Sequence, residues 1–116
     1  MNAQTLCEKL HAAKFNFSNE LELQNGIAQL LTSLNVHYQK EVTFNPQDRI
    51  DFIVGKIGIE VKVDSSAPVV TRQLWRYAQQ EAIDELILVT TRSKHRVIEG
   101  PINGKPVYIV HLLTFL

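Results

Sequence analysis

Two short apolar stretches, Arg49–Val54 and Ile57–Val63, are separated by only Gly55 and Lys56, and this spacing constrains the chain more than anything else in it. A two-residue connection with glycine first has the composition of a type II′ turn, so the pair predicts a tight antiparallel hairpin. Side chains alternate between faces along a strand. Ile50, Phe52 and Val54 are then expected to share one face with Ile57, Ile59, Val61 and Val63, leaving Asp51, Glu60 and Lys62 on the other. With Val54 and Ile57 flanking the turn, Asp51 falls opposite Glu60. Directly opposed like charges destabilise a strand pair, and Lys62 sits too far along to neutralise both. Two carboxylates so placed invite a cation, and a divalent metal would resolve the conflict.

The flanks of these charges sharpen the point. Gly58-Ile59-Glu60-Val61-Lys62-Val63 is a poor match for a solvated edge strand. Strands buried on both faces read as near-continuous apolar runs, and charges inside such a run need a reason.

Composition narrows the setting. The 116 residues predict one domain, 1–116, on one core, and 45% hydrophobic content is ordinary for a globular protein. Twelve basic residues balance twelve acidic ones, so no global basic field attracts nucleic acid and any such contact must be local. Cys7 stands alone, which excludes an intramolecular disulfide, and no Cys/His spacing suggests zinc. A reducing, cytoplasmic setting and a soluble protein are the expectation. The N-terminal stretch, interrupted by Glu8 and Lys9, lacks a signal-peptide core, and the apolar tail Val107–Leu116 is too short to span a bilayer.

Around the hairpin, Thr5–Ala13 predicts a short helix, followed by a loop through Phe17. Ser18 is placed to cap a longer helix, Asn19–Leu34, whose Leu23, Ile27, Leu30, Leu31 and Leu34 recur at helical spacing. Val36–Phe44 alternates as a strand before the turn cluster Asn45-Pro46-Gln47-Asp48. Beyond the hairpin, Ser65–Pro68 predicts a loop, and Thr71 caps a helix to about Ile83. Glu85–Thr90 predicts a strand, Arg92–Asn103 a loop or brief helix, and Pro106–His111 a last strand. The order α, α, β, β, β, α, β, β predicts an α/β (α+β mixed) domain, a mixed sheet flanked by helices. The crossover helix should make the Glu60 strand and Glu85–Thr90 parallel.

Asp51, eight intervening residues, and Glu60-Val61-Lys62 on a strand resemble the motif of the PD-(D/E)xK nuclease superfamily, without the proline that often precedes its Asp. The predicted αβββαβ order over residues 18–90 is that superfamily's restriction-endonuclease-like core. Glu20-x-x-x-Gln24 opening an apolar helix looks like the small phage and VRR-type members, and Holliday-junction-resolvase-like nucleases are similar too. Gln73-Leu74-Trp75-Arg76-Tyr77 matches the QxxxY signature of RecB-like members.

The resemblance implies a metal-dependent endonuclease hydrolysing DNA phosphodiester bonds, RNA not being excluded. Asp51, Glu60, the Val61 carbonyl and Glu20 would hold Mg²⁺ or Mn²⁺ through hard oxygens. Lys62 would orient or deprotonate the attacking water. Gln73 would bond near the metal site, and Tyr77 would support it or contact DNA. Glu20 is favoured over Glu22 because Glu20 and Gln24 lie one turn apart on one helix face; an acid in a first turn also suits the helix dipole without any function.

Arg72 and Arg76 form an i, i+4 pair beside Gln73 and Tyr77, and Arg92, Lys94 and Arg96 form the densest positive segment. Each is a candidate phosphate contact, with solvated surface charge as the plain alternative. Two competing functions remain. One is a nucleic-acid-binding module of the same fold without turnover. The other is an assembly subunit dimerising through Trp75, the C-terminal strand and Leu112, Leu113, Phe115 and Leu116. A homodimer is compatible with the nuclease as well, and the size favours structure-selective cutting of branched or flapped DNA.

Overall fold

Helix starts in this chain are set by asparagine and serine side chains. In the computed structural model, which describes residues 1–16 and 18–113, Asn2 opens α1 (Ala3–Ala12) by accepting the Thr5 N–H at 2.8 Å. Asn19 opens α2 (Glu20–Ser33) by accepting the Glu22 N–H at 2.8 Å. The cap of α2 is therefore Asn19 and not Ser18, whose own N–H is bound to Asn16 Oδ1. Phe17, Thr114, Phe115 and Leu116 lie outside the described residues, and with them the predicted dimer contacts of Phe115 and Leu116.

The end of α2 explains why the first strand starts late. Asn35 takes a left-handed φ of 56°, its N–H reaches the Thr32 carbonyl, and the Val36 N–H reaches the Leu31 carbonyl at 3.1 Å. These are the two bonds of a Schellman cap. Val36 is thus tied to the helix, and β1 runs Gln39–Asn45 rather than from Val36.

β2 (Asp48–Val54) and β3 (Ile57–Lys62) form the expected hairpin, with Val54 paired to Ile57 and Gly55 at φ +60°. α3 spans Ala67–Ala78, five residues earlier at its start than a cap at Thr71 implied. Ser66 Oγ accepts the Val69 N–H, and Pro68 sits in the first turn, where a helix needs no N–H. Thr71 instead donates to the Ala67 carbonyl at 2.8 Å. Asn103 bonds the Ala78 carbonyl and Lys105 the Gln80 carbonyl, so the helix stops short of Ile83. β4 (Glu85–Thr90), a 3-10 turn (Ser93–Val97) and β5 (Val107–His111) complete the chain.

The five strands lie in the order β1-β2-β3-β4-β5, antiparallel across β1–β2–β3 and parallel across β3–β4–β5. The fold is the mixed α/β sheet flanked by helices that the element order implied. One face packs Leu6, Leu10, Leu23, Ile27 and Leu31 of α1 and α2 on Phe52, Ile59, Val61, Ile87 and Val89. The other packs Val70, Leu74 and Tyr77 of α3 on Ile50, Ile53, Leu86 and Leu88. Cys7, beside the first cluster, has its thiol pushed up to about 11 by burial. Among the described residues no helix is long and apolar enough to cross a membrane.

Ile50 departs from the alternation expected of it. It packs with Ile53 on the α3 face, not with Phe52 and Val54. A Cβ on Gly58 would lie 2.6 Å from Ile50 Cδ1, so glycine there makes room for this side chain. The phase resets at Asp51, where the β2–β3 ladder ends after Phe52↔Ile59. The disturbance crosses into β1 as well. Glu41, between the pairs Lys40↔Phe52 and Val42↔Ile50, has φ +54°, a conformation uncommon outside glycine.

Candidate active site

Where the ladder ends, side chains replace backbone as bonding partners. The Val61 N–H donates to Asp51 Oδ2 at 2.8 Å, and the Asp51 N–H donates to Glu60 Oε1 at 3.2 Å. Each strand thus inserts a carboxylate into the gap and anchors it on the other. Thr91 N–H takes the Lys62 carbonyl at 3.3 Å on the β4 side. Backbone groups alternate edges along a strand, so Val61 turns its carbonyl toward the same gap that holds Asp51.

Glu60 is 2% exposed. Its Oε2 lies 3.2 Å from Lys62 Nζ and accepts from the Tyr77 hydroxyl at 3.1 Å. Burial, and next the charge of Asp51, push the Glu60 carboxyl up to about 8, against the opposing pull of Lys62. Asp51 is also raised by burial, held back by the Val61 N–H and the nearby cations Lys62 and Arg49. Burial outweighs the pull of these cations on both carboxylates, and the pair does not hold both negative charges comfortably near neutral pH.

α2 brings two side chains to the same gap. Gln24 Nε2 donates to Asp51 Oδ1 at 3.2 Å. Glu20, one turn earlier, is half-buried, and burial raises its carboxyl while Lys62 lowers it and Asp51 raises it further. Glu22 points to solvent. Gln24, paired with Glu20 on one helix face in the sequence, is the α2 residue that bonds an acid of the motif.

From the other face, α3 supplies Gln73 and Tyr77. Gln73 Nε2 donates to the Tyr77 hydroxyl at 2.8 Å, and that hydroxyl faces two acceptors, the Arg49 carbonyl at 2.8 Å and Glu60 Oε2. A phenol has one proton to give. Gln73 reaches the carboxylates only through Tyr77. Tyr77 is fully buried, which corrects its assignment as a DNA contact: it has no surface to offer a ligand and acts as a support for Glu60.

The cations divide by place. Arg76 Nε is 2.7 Å from buried Asp48, whose carboxyl its hydrogen bond, and then that of Asn45, hold below the usual range. Arg76 is thereby engaged in tying α3 to the start of β2. Arg72 is exposed and makes no hydrogen bond or ion pair among the described residues. Lys94 lies 3.7 Å from Asp64, both well exposed. Arg92 is exposed, and Arg96 borders a hollow with His11, Ile109, His111 and Leu113 at β5, two strands away from β3.

His95, inside this basic run, is fully buried and was not singled out in sequence. It bridges Thr90 Oγ1 at 2.6 Å and the Ser65 carbonyl at 2.8 Å, fastening the turn to the loop that follows Lys62. Arg49 and Asp48 were missed as well. Nothing local in the sequence marks them, because their partners lie 28 residues away on α3.

No family model, no curated protein and no solved structure matches this chain. Functional argument rests on the site itself. Among the described residues no three His, Cys, Asp or Glu side chains gather as a metal-holding group. Two carboxylates and a carbonyl at one desolvated gap nonetheless fit a hard divalent cation, because Mg²⁺ commonly takes one or two carboxylates and completes its shell with water and substrate phosphate. The excess negative charge of Asp51 and Glu60 over Lys62 is the second element of that fit.

Proposed function

We propose that this chain is a Mg²⁺- or Mn²⁺-dependent nuclease of the PD-(D/E)xK kind, cutting DNA phosphodiester bonds with selectivity for branched or flapped structure. The observation that carries the reading is the desolvated Asp51–Glu60 pair in an opened ladder, with Glu60 raised to about 8 despite Lys62 at 3.2 Å. A fold retains so unfavourable an arrangement when a site needs it.

Asp51, Glu60 and the Val61 carbonyl would hold the cation, with Glu20 on α2 near enough to bear on its outer ligands. When bound, the cation supplies Lewis acidity toward a phosphate oxygen and a more acidic water. Lys62 orients the attacking water and offsets charge developing on the phosphate. Gln24 fixes one Asp51 oxygen, and Tyr77 fixes one Glu60 oxygen, which holds both carboxylates in place at the gap. Arg72, exposed beside Gln73 on α3, would meet a phosphate of the flanking strand.

The second reading is a nucleic-acid-binding module of the same fold without turnover. It is favoured by the lack of a third carboxylate, histidine or cysteine in the cluster among the described residues.

The test is cleavage of fluorescent single-stranded, duplex, flapped and four-way-junction DNA, with matching RNA, in EDTA, Mg²⁺ or Mn²⁺. Lys62→Met should lose about 10²- to 10⁴-fold in rate while keeping metal-induced thermal stabilisation. Cutting by Lys62→Met at the wild-type rate would remove the assignment. Salt-dependent DNA binding with no cutting in either metal would hand the site to the binding module.

A further inference from the structure

β5 is the outer strand on the parallel side of the sheet, bonded only to β4. The Pro106 carbonyl accepts the Leu86 N–H at 2.9 Å, and the Leu112 N–H donates to the Thr90 carbonyl at 2.8 Å. Even-numbered residues therefore face β4, and Val107, Ile109 and His111 turn their N–H and C=O groups to the open edge. Gly100 packs over one end of that edge, where a Cβ would lie 3.0 Å from the Val107 nitrogen. Among the described residues the outward backbone groups of Ile109 and His111 make no hydrogen bond.

Edge strands are usually guarded by charge, proline or a bulge. β1, the opposite edge, is guarded in this way: Lys40 and Glu41 are exposed, Glu41 is at positive φ, and the register shifts between Thr43 and Asn45. β5 reads Val-Tyr-Ile-Val-His, with no Lys, Asp, Glu, Arg or Pro. Beside it stand two of the most exposed apolar side chains of the described residues, Val97 at 73% and Leu113 at 60%.

Charge is unevenly spread along this edge. At the His111 end a hollow of about 380 Å³ is lined by His11 from α1, Arg96 from the 3-10 turn, Ile109, His111 and Leu113, with no carboxylate. At the Val107 end lie Glu85, bonded by the Tyr108 hydroxyl at 3.3 Å, and exposed Glu99 next to Gly100, with the Lys105 ammonium drawn to the Gln80 carbonyl at 2.9 Å. The edge is basic at one end and acidic at the other.

We propose that a second copy of this chain pairs here, β5 against β5 antiparallel, so that one sheet runs through both molecules. In the register that sets Ile109 opposite the partner's His111, the outward backbone groups of both residues bond across the seam. The seam is then centred on Val110, clear of the Gly100-packed Val107 end, and each basic end lies toward the other copy's acidic end. A parallel pairing would oppose like ends. None of Asp51, Glu60 or Lys62 takes part, so this interface stands or falls apart from the hydrolase reading.

Sedimentation or light scattering of the full chain, from low to high micromolar concentration, tests it. The wild type should be a dimer. Ile109→Lys, at a half-exposed edge position that also packs against the α3-side cluster, should weaken association about ten-fold or more while its circular dichroism stays that of the folded wild type. Arg96→Glu, fully on the surface, should weaken it too, and adding Glu99→Arg to the same chain should restore it. A monomeric wild type at every concentration, or a dimer indifferent to Ile109→Lys, would overturn the interface. A double variant no tighter than Arg96→Glu would overturn the antiparallel arrangement, and capture of an acidic peptide by a monomeric wild type would reassign the edge.

Discussion

The two ends of the β2–β3 hairpin are built from the same strands and follow opposite rules. At the closed end Phe52↔Ile59, Ile53↔Gly58 and Val54↔Ile57 pair in register, and all six residues are buried. At the open end the ladder stops, and Asp51, Glu60 and Lys62 bond through side chains. The closed end gains from each contact, whereas the open end holds two desolvated acids whose burial outweighs the pull of the nearby cations. The contrast teaches that the apolar end fixes the register and position of the strands, and this frame holds the charged end in a geometry it would not adopt alone. α2 and α3 grip the open end from both faces through Gln24 and Tyr77.

If this division is right, substitutions at the two ends should move stability in opposite directions. The largest effect belongs to Phe52→Ala. The ring is fully buried under α1 and α2 and stacks edge-on with Tyr38 at 6.0 Å between centroids. Its loss should cost about 3–5 kcal/mol in urea unfolding. A loss under about 1 kcal/mol would mean that the closed end does not set the frame.

Glu60→Gln should do the reverse in metal-free protein. The Glu60 carboxyl rises from an ordinary 4.5 to about 8 on folding. The folded state then binds its proton more tightly than the unfolded chain does. Stability from this group is full below about 4.5 and is lost as pH rises toward 8. Asp51, raised too, adds in the same direction. Melting temperature in EDTA should fall from pH 5 to pH 8 for the wild type and fall less for Glu60→Gln. At pH 8 the variant should be the more stable protein, by on the order of a few kcal/mol. Mg²⁺ should recover more stability in the wild type than in the variant. A wild-type profile that rises across this range would contradict the charge conflict.

Much of this frame was legible in sequence because its signals are local. The glycine-first turn, the alternation of Phe52, Val54, Ile57, Ile59 and Val61, and the stripe Leu23, Ile27, Leu31 all report elements whose partners are set by period alone. The carboxylate pair was legible for the same reason. Helix ends were less so. Asn19 caps beside the expected Ser18, because adjacent polar residues can each cap. Ser66 caps α3 ahead of the expected Thr71, because Pro68 reads as a loop residue yet fits a first helical turn. The reversal of Ile50 was not legible, since a strand pattern carries no mark of the residue at which a ladder opens. The roles of Arg49, Asp48 and His95 depend on contacts between distant segments, which no spacing rule encodes.

The smallest predicted effect probes the joint between the two ends. Tyr77→Phe keeps the ring packed among Leu74, Ile50 and Phe44 but removes the hydroxyl that accepts from Gln73 and faces both the Arg49 carbonyl and Glu60. The Arg49 carbonyl and Gln73 lose a partner at the margin of the core, which should cost about 1–2 kcal/mol. Glu60 loses a donor to its charged form, so its pKa should rise further and the decline of stability with pH should extend to higher pH than in the wild type. A structural role limited to packing would lower stability equally at every pH. A pH profile for Tyr77→Phe parallel to the wild type would therefore separate Tyr77 from the carboxylates and leave it a core residue alone.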